Sequence, residues 1–194
     1  MTFPLVISFY TAATAYEQEA QRLRRSCDRF GLPLHLEALA STGRWVSNCA
    51  LKGPFVLRCL ERFQRPVLWL DADAEVVAYP VLFERAAFEF AAYMPGAMLS
   101  GTLYFAWTAP ALALATDWAQ RCRRRPRVWD QRLLQEAYEA HRQRLVFRPL
   151  PQGYCRIFDR PWREAERRPY VVHHQASRRL KRSVARPHPP PEPG

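Results

Sequence analysis

The chain has 194 residues, enough for one domain with a substantial core. Hydrophobic residues make up 48% of it and aromatics 13%, a globular composition in which no apolar run approaches the roughly 20 residues that span a bilayer. With 29 Lys and Arg against 18 Asp and Glu, the net charge of +11 and the pI near 10.0 favour an anionic partner, whether nucleotide, nucleic acid or acidic membrane surface.

Residues 1–10 have no charged leader and no cleavage site, so they read as a first strand over 5–10 instead of a signal peptide, and a cytoplasmic protein is the expectation. A helix over about 15–30 follows, and Gly31 ends it in the left-handed conformation. Residues 34–39 form a second strand. Gly53-Pro54 starts another helix, because the missing proline N–H costs nothing in a first turn. Phe55, Val56, Cys59, Leu60 and Phe63 share one face of it.

The next segment, Pro66-Val67-Leu68-Trp69-Leu70, is apolar without alternation, as in a parallel sheet covered by helices on both faces. It stops at Asp71-Ala72-Asp73-Ala74-Glu75, beyond the carboxyl end of a strand, where ligands of such sheets gather. In extended chain residues i and i+2 point the same way, so Asp71 and Asp73 can jointly hold one hard divalent cation, which favours carboxylate oxygens and often also takes substrate phosphates. The competing reading is a turn in which each Asp side chain bonds its own backbone.

Strands over 88–93 and 99–105, helices over 110–122 and 129–140, and short strands over 145–150, 155–158 and 170–173 complete an alternation that implies an α/β sandwich around a mostly parallel sheet. Residues 1–182 read as the domain, and the proline-rich residues 183–194 as a disordered or polyproline-like tail. Ahead of the prolines, Arg178, Arg179, Lys181, Arg182 and Arg186 form a basic run that is either a solvated tail or part of a site. The five cysteines are scattered and never at Cys-x-x-Cys spacing, which argues for reduced thiols over a zinc site or disulfide framework.

Lys52, the pair Asp71 and Asp73, the segment Ser100-Gly101-Thr102, Asp130-Gln131 at a helix start, and His173-His174 ahead of the basic run fall in one order along the chain. In that order the chain resembles the nucleotide-diphospho-sugar transferases, glycosyltransferases of GT-A fold with an Asp-x-Asp metal site, over roughly residues 6–182. The resemblance implies an α/β fold of GT-A type, a Rossmann-like, mostly parallel sheet flanked by helices with a small acceptor-side region. It also implies Mn²⁺ or Mg²⁺, a nucleotide-sugar donor, most often a UDP-sugar, and a glycan or other hydroxyl-bearing acceptor.

Residue by residue, it makes Asp71 and Asp73 the metal pair and His173 or His174 the third ligand. Lys52 contacts donor phosphate or sugar, or is a surface lysine. Ser100 and Gly101 offer bare backbone to the donor sugar or acceptor, and Tyr10 and Thr11 read the nucleoside base, with Tyr10 equally a core residue. Asp130 and Gln131 sit at the anomeric carbon as the catalytic pair, with helix N-capping the other role for Asp130. Ser177, Arg178, Arg179, Lys181 and Arg182 form a lid whose cations meet the diphosphate, since guanidinium forks suit phosphate oxygens.

Three positions depart from the pattern: Leu99 stands where relatives have Asn, Arg132 where some have Asp, and Arg179 where the version compared has Lys. Retention or inversion of the anomeric centre is left open, with Asp130 and Glu75 as candidate bases for an inverting route. Two rival readings remain. A nucleotidyltransferase would bring a Gly-rich phosphate loop after the first strand, which Thr11-Ala12-Ala13-Thr14 is not. A non-catalytic basic module would leave Asp71, Asp73 and His173 without a purpose. Peripheral contact with an anionic inner membrane face is compatible with the charge, and nucleic acid is not the expected partner.

Overall fold

The computed structural model describes residues 3–158 and 168–176. Its elements are β1 (Leu5–Thr11), α1 (Tyr16–Arg29), β2 (Leu34–Leu39), α2 (Trp45–Ala50), α3 (Lys52–Phe63), β3 (Val67–Leu70), β4 (Ala74–Val76), β5 (Phe90–Ala92), β6 (Thr102–Phe105), α4 (Ala109–Arg124), α5 (Asp130–His141), β7 (Phe147–Pro149), β8 (Arg156–Ile157) and β9 (Val171–His173). The main sheet has the order β2-β1-β3-β6-β5-β7. Only β6 runs against the other strands, pairing antiparallel with β3 and β5, so the sheet is mostly parallel as expected.

Both faces of this sheet are covered, which is why β3 carries no polar alternation. Val67 and Trp69 face a core built on α3, α4 and α5, with Phe55, Leu60, Trp118 and Leu134. Leu68 and Leu70 face the opposite core, with Leu23 and Cys27 of α1 and Val76 of β4. Each fully buried large side chain contributes about 1.5–3 kcal/mol, and Trp69, Trp118, Phe55 and Leu68 are all of this kind. α1 is followed by Gly31 at φ +63°, the left-handed residue anticipated at its end.

From β1 the chain crosses to β2 on one side and then to β3 on the other. The crevice beyond the carboxyl ends of β1 and β3 is therefore the topological switch point, the place where such sheets bind ligands. A second, three-stranded sheet of order β4-β9-β8 lies beyond it.

Two short elements were not anticipated, and one expectation needs correction. A short helix, α2, precedes α3, which begins at Lys52 and has Pro54 in its first turn as expected. β4 follows the acidic turn at once, too short to stand out in the sequence. Ser100 and Gly101 precede β6, which Thr102 opens, so the glycine is not inside a strand. All five cysteines are free, four of them buried and Cys49 half-buried.

Candidate metal and donor site

Asp71 leaves β3 two residues after Trp69 and on the same face, and the Trp69 indole N–H donates to its Oδ1 at 3.0 Å. The backbone turns here, with the Ala74 N–H on the Asp71 carbonyl at 2.8 Å. Neither carboxylate bonds the backbone of that turn, so the reading in which each Asp side chain caps its own turn does not hold. Asp73 instead accepts the Ala176 N–H on Oδ2 at 2.9 Å.

The turn feeds β4, and β4 pairs antiparallel with β9 in a register that sets Ala74 opposite His173. This pairing brings a residue a hundred positions downstream against the acidic pair. Oxygens of Asp71 and Asp73 and a nitrogen of His173 all lie within 4.8 Å of one another. His173 is 2% exposed, its Nδ1 lies 3.7 Å from Asp73 Oδ1, and its Nε2 meets Thr102 Oγ1 at 2.9 Å. It is not a partly exposed strand-end residue. His174 lies outside this cluster: its Nε2 bonds Glu75 Oε2 at 2.9 Å, which also occupies the alternative base Glu75.

Gly101 owes its lack of a side chain to this imidazole. A Cβ there would fall 3.0 Å from His173 Cε1 and 3.3 Å from both ring nitrogens, so the glycine makes room for His173. Two carboxylates and one imidazole suit Mn²⁺ or Mg²⁺, and the Thr102 hydroxyl is the kind of partner that fixes the second nitrogen of a metal-bound histidine. The donor set therefore fits the expected cation.

Lys52 is not a surface lysine. At 6% exposure, its Nζ lies 2.8 Å from Asp71 Oδ1 and 3.1 Å from Asp130 Oδ2. It also donates to Ser100 O at 3.2 Å and Ser100 Oγ at 3.1 Å. Ser100 Oγ in turn donates to Asp130 Oδ2 at 2.7 Å. Gly53 permits the approach that seats Lys52, since a Cβ there would meet Cys122 Sγ at 3.1 Å and Trp118 at 3.2 Å. The three ammonium protons are already shared among four protein oxygens, so contact with a donor phosphate would require one of these bonds to open.

Asp130 is the first residue of α5, and its side chain makes no cap bond. Its carboxylate belongs to the Lys52 network, which overturns the capping alternative. Neither Asp130 nor Gln131 lines the crevice.

Burial opposes every charge in this cluster. At Asp73, His173 and the Ala176 N–H prevail and hold the carboxyl below its usual range. At Asp71 burial prevails over Lys52 and raises it. Burial also opposes a proton on His173, yet Cys155 and Asp73 overcome it and push the pKa up to about 10. Burial likewise opposes the Lys52 charge, and Asp130 and Asp71 override it and raise the pKa.

The crevice over the carboxylates is a cavity of about 140 Å³. Tyr10 and Thr11 line it from the end of β1, and Tyr10 is half-buried there, not a core residue. Tyr16, Trp45, Asn48 and Gln175 complete the wall and were not singled out from the sequence. The spacing Trp45, Asn48, Cys49, Lys52 is helical, so tracing back from Lys52 by three and four residues would have found three of the cavity's residues. Gln175 carries no sequence signal, though its φ of +53° is unusual for a residue other than glycine. Ser177, Arg178, Arg179, Lys181 and Arg182, and the whole tail from 183 to 194, lie outside the described residues.

No family model matches the chain, and no curated protein matches it in sequence. Among solved structures it is similar to the "crystal structure of a glycosyltransferase involved in the glycosylation of the major capsid of PBCV-1", at a TM-score of 0.70 and 14% identity, over 94% of this chain and 98% of that one. The chain thus shares the fold of that protein. No helix among the described residues is long and apolar enough to cross a membrane.

Proposed function

We propose that the protein is a metal-dependent glycosyltransferase of GT-A type that moves a sugar from a nucleotide-diphosphate sugar, with UDP-sugar the expected donor, to an acceptor hydroxyl of a glycan or similar molecule. The observation that carries this reading is the convergence of Asp71, Asp73 and His173 within 4.8 Å at the switch point of the sheet. The cation these residues would hold, Mn²⁺ or Mg²⁺, supplies charge neutralisation to a departing nucleoside diphosphate.

Around it, Thr102 orients His173 and Gly101 leaves it space, while Lys52 anchors Asp71 from below. Lys52 also fixes Asp130, so that carboxylate acts as a positioning group and is a poor candidate for a mobile base. Tyr10, Thr11 and Tyr16 line the cavity beside the acidic pair, which supports a nucleoside against these side chains. At about 140 Å³ the cavity takes one part of such a donor, since sites for whole ligands run to roughly 300–1,000 Å³.

A nucleotidyltransferase and a non-catalytic basic module are the alternatives: the first could also use the acidic pair and its imidazole but brings a Gly-rich phosphate loop after the first strand, which Thr11-Ala12-Ala13-Thr14 is not, and the second leaves a buried imidazole beside two carboxylates without a purpose. Screening nucleotide sugars for Mn²⁺-dependent release of UDP or GDP tests the proposal. Release from at least one donor, abolished by chelator, is expected; release from none, with or without acceptor candidates, rejects it.

A further inference from the structure

Beside the crevice lies a second, open cleft of about 410 Å³, lined by Arg44, Trp45, Val46, Ser47, Arg127 and Trp129. Trp45 lines both spaces and so separates them. The Trp45 and Trp129 rings stand at 85° with centroids 6.2 Å apart, forming a corner. Trp129 is 57% exposed, and with Trp45 it leaves indole surface open to the cleft.

The corner is rigidly built. On one side Asn48 Oδ1 accepts the Thr42 N–H and hydroxyl, both at 2.7 Å, and Asn48 Nδ2 donates to Ser41 Oγ at 3.1 Å, fixing the loop that presents Arg44 and Trp45. On the other side the buried Trp118 N–H holds the Asp130 carbonyl at 3.0 Å, and Lys52 and Ser100 hold the Asp130 carboxylate. Trp129 thus hangs from the same network that anchors Asp71. Neither Arg44 nor Arg127 joins an ion pair among the described residues, whereas Arg121, Arg125 and Arg132 share Glu136.

Two perpendicular indoles and two uncommitted guanidiniums define a ligand chemistry. The C–H faces of a sugar ring pack against an indole face, and a guanidinium fork matches a carboxylate or phosphate. The cleft volume lies within the roughly 300–1,000 Å³ of small-molecule sites. A membrane surface would seat poorly in a concave corner, and the acidic pair that would hold a nucleotide's diphosphate lines the neighbouring crevice and not this cleft. We infer that the cleft between Trp45 and Trp129 is the acceptor subsite and takes an anionic saccharide, one bearing a carboxylate or a phosphate. The assignment as acceptor rests on the sugar-transfer reading; the saccharide binding does not.

The test is calorimetry on the full chain with three probes: a hyaluronan tetrasaccharide for the carboxylate, mannose 6-phosphate for the phosphate, and cellotetraose as the neutral control. At least one anionic probe should bind tenfold or more tighter than cellotetraose. Trp129→Ala and Arg127→Glu should each weaken that binding at least tenfold, and melting curves check that both variants fold, which the exposure of both side chains favours. Equal binding of cellotetraose, no binding of either anionic probe, or variants that bind as the parent does would overturn the inference. So would displacement of the probe by UDP with Mn²⁺, which would make the cleft part of the donor site. Phosphatidylserine vesicles that retain the parent and not Trp129→Ala, without saccharide binding, would overturn it in favour of a membrane contact. If the saccharide result holds while UDP fails to bind with Mn²⁺, the sugar-transfer reading falls and the saccharide site stands.

Discussion

Replacing Lys52 by Met removes one ammonium and keeps most of the apolar stem. Asp130, with 8% of its side chain exposed, then has no cation, and Asp71 loses its partner at 2.8 Å while still facing Asp73. Breaking one side of a buried ion pair costs about 3–5 kcal/mol, because a desolvated charge is left behind. For a chain of this size each kcal/mol lowers the melting temperature by about 2–4 °C, so the loss should be roughly 6–20 °C. Urea unfolding followed by tryptophan fluorescence, without metal, measures it. Adding Asp130→Asn to Lys52→Met should restore a large part, since the orphaned charge is gone. Mn²⁺ should restore another part by compensating Asp71. A Lys52→Met loss below about 1 kcal/mol, the range of exposed pairs, would refute the buried network as the base of the site.

Gly101→Ala places a methyl 3.0 Å from His173 Cε1. It should lower Mn²⁺ affinity at least tenfold while costing about 1–3 kcal/mol of stability, read by metal titration and urea unfolding; unchanged Mn²⁺ affinity would show that His173 is not held at the metal. The pKa of His173, raised to about 10 from an unfolded value of roughly 6.5, stabilises the metal-free fold fully below pH 6.5, and this contribution is lost as the pH rises through 10. Cys27, Cys59 and Cys122, pushed up to about 12 by burial, add a similar loss, but only above roughly pH 8.5. Between pH 6.5 and 8.5 the parent should therefore lose stability and His173→Gln should not, and bound Mn²⁺, which needs the neutral ring, should reverse the slope in the parent.

The acid-tipped strand was legible because burial on both faces erases alternation and leaves a run, Val67 to Leu70, that only charge can end. The partner of that strand was harder to see. His173 reaches Asp73 through the three-residue strand β4 and its register with β9, a contact ninety-nine residues long between Ala74 and His173 that local patterning does not encode. Family order therefore supplied the histidine pair, and strand register separated His173 from His174. Lys52 and Asp130 read ambiguously because a charged residue beside Gly53-Pro54 or at a helix start has ordinary surface and capping uses. Only the packing of α3 on α4 through Gly53 turns them inward against each other. Gly101 drew notice as a glycine inside a strand over 99–105, yet it precedes β6 and the neighbour that explains it comes from another sheet.

The most direct measurement is UDP calorimetry on the parent and on Asp73→Asn, each with Mn²⁺ and with chelator. Metal-held diphosphate recognition by Asp71, Asp73 and His173 predicts heat of binding from the parent with Mn²⁺ alone, and none from folded Asp73→Asn under either condition. Equal UDP affinity in the parent with Mn²⁺ and with chelator, matched by Asp73→Asn, would contradict it.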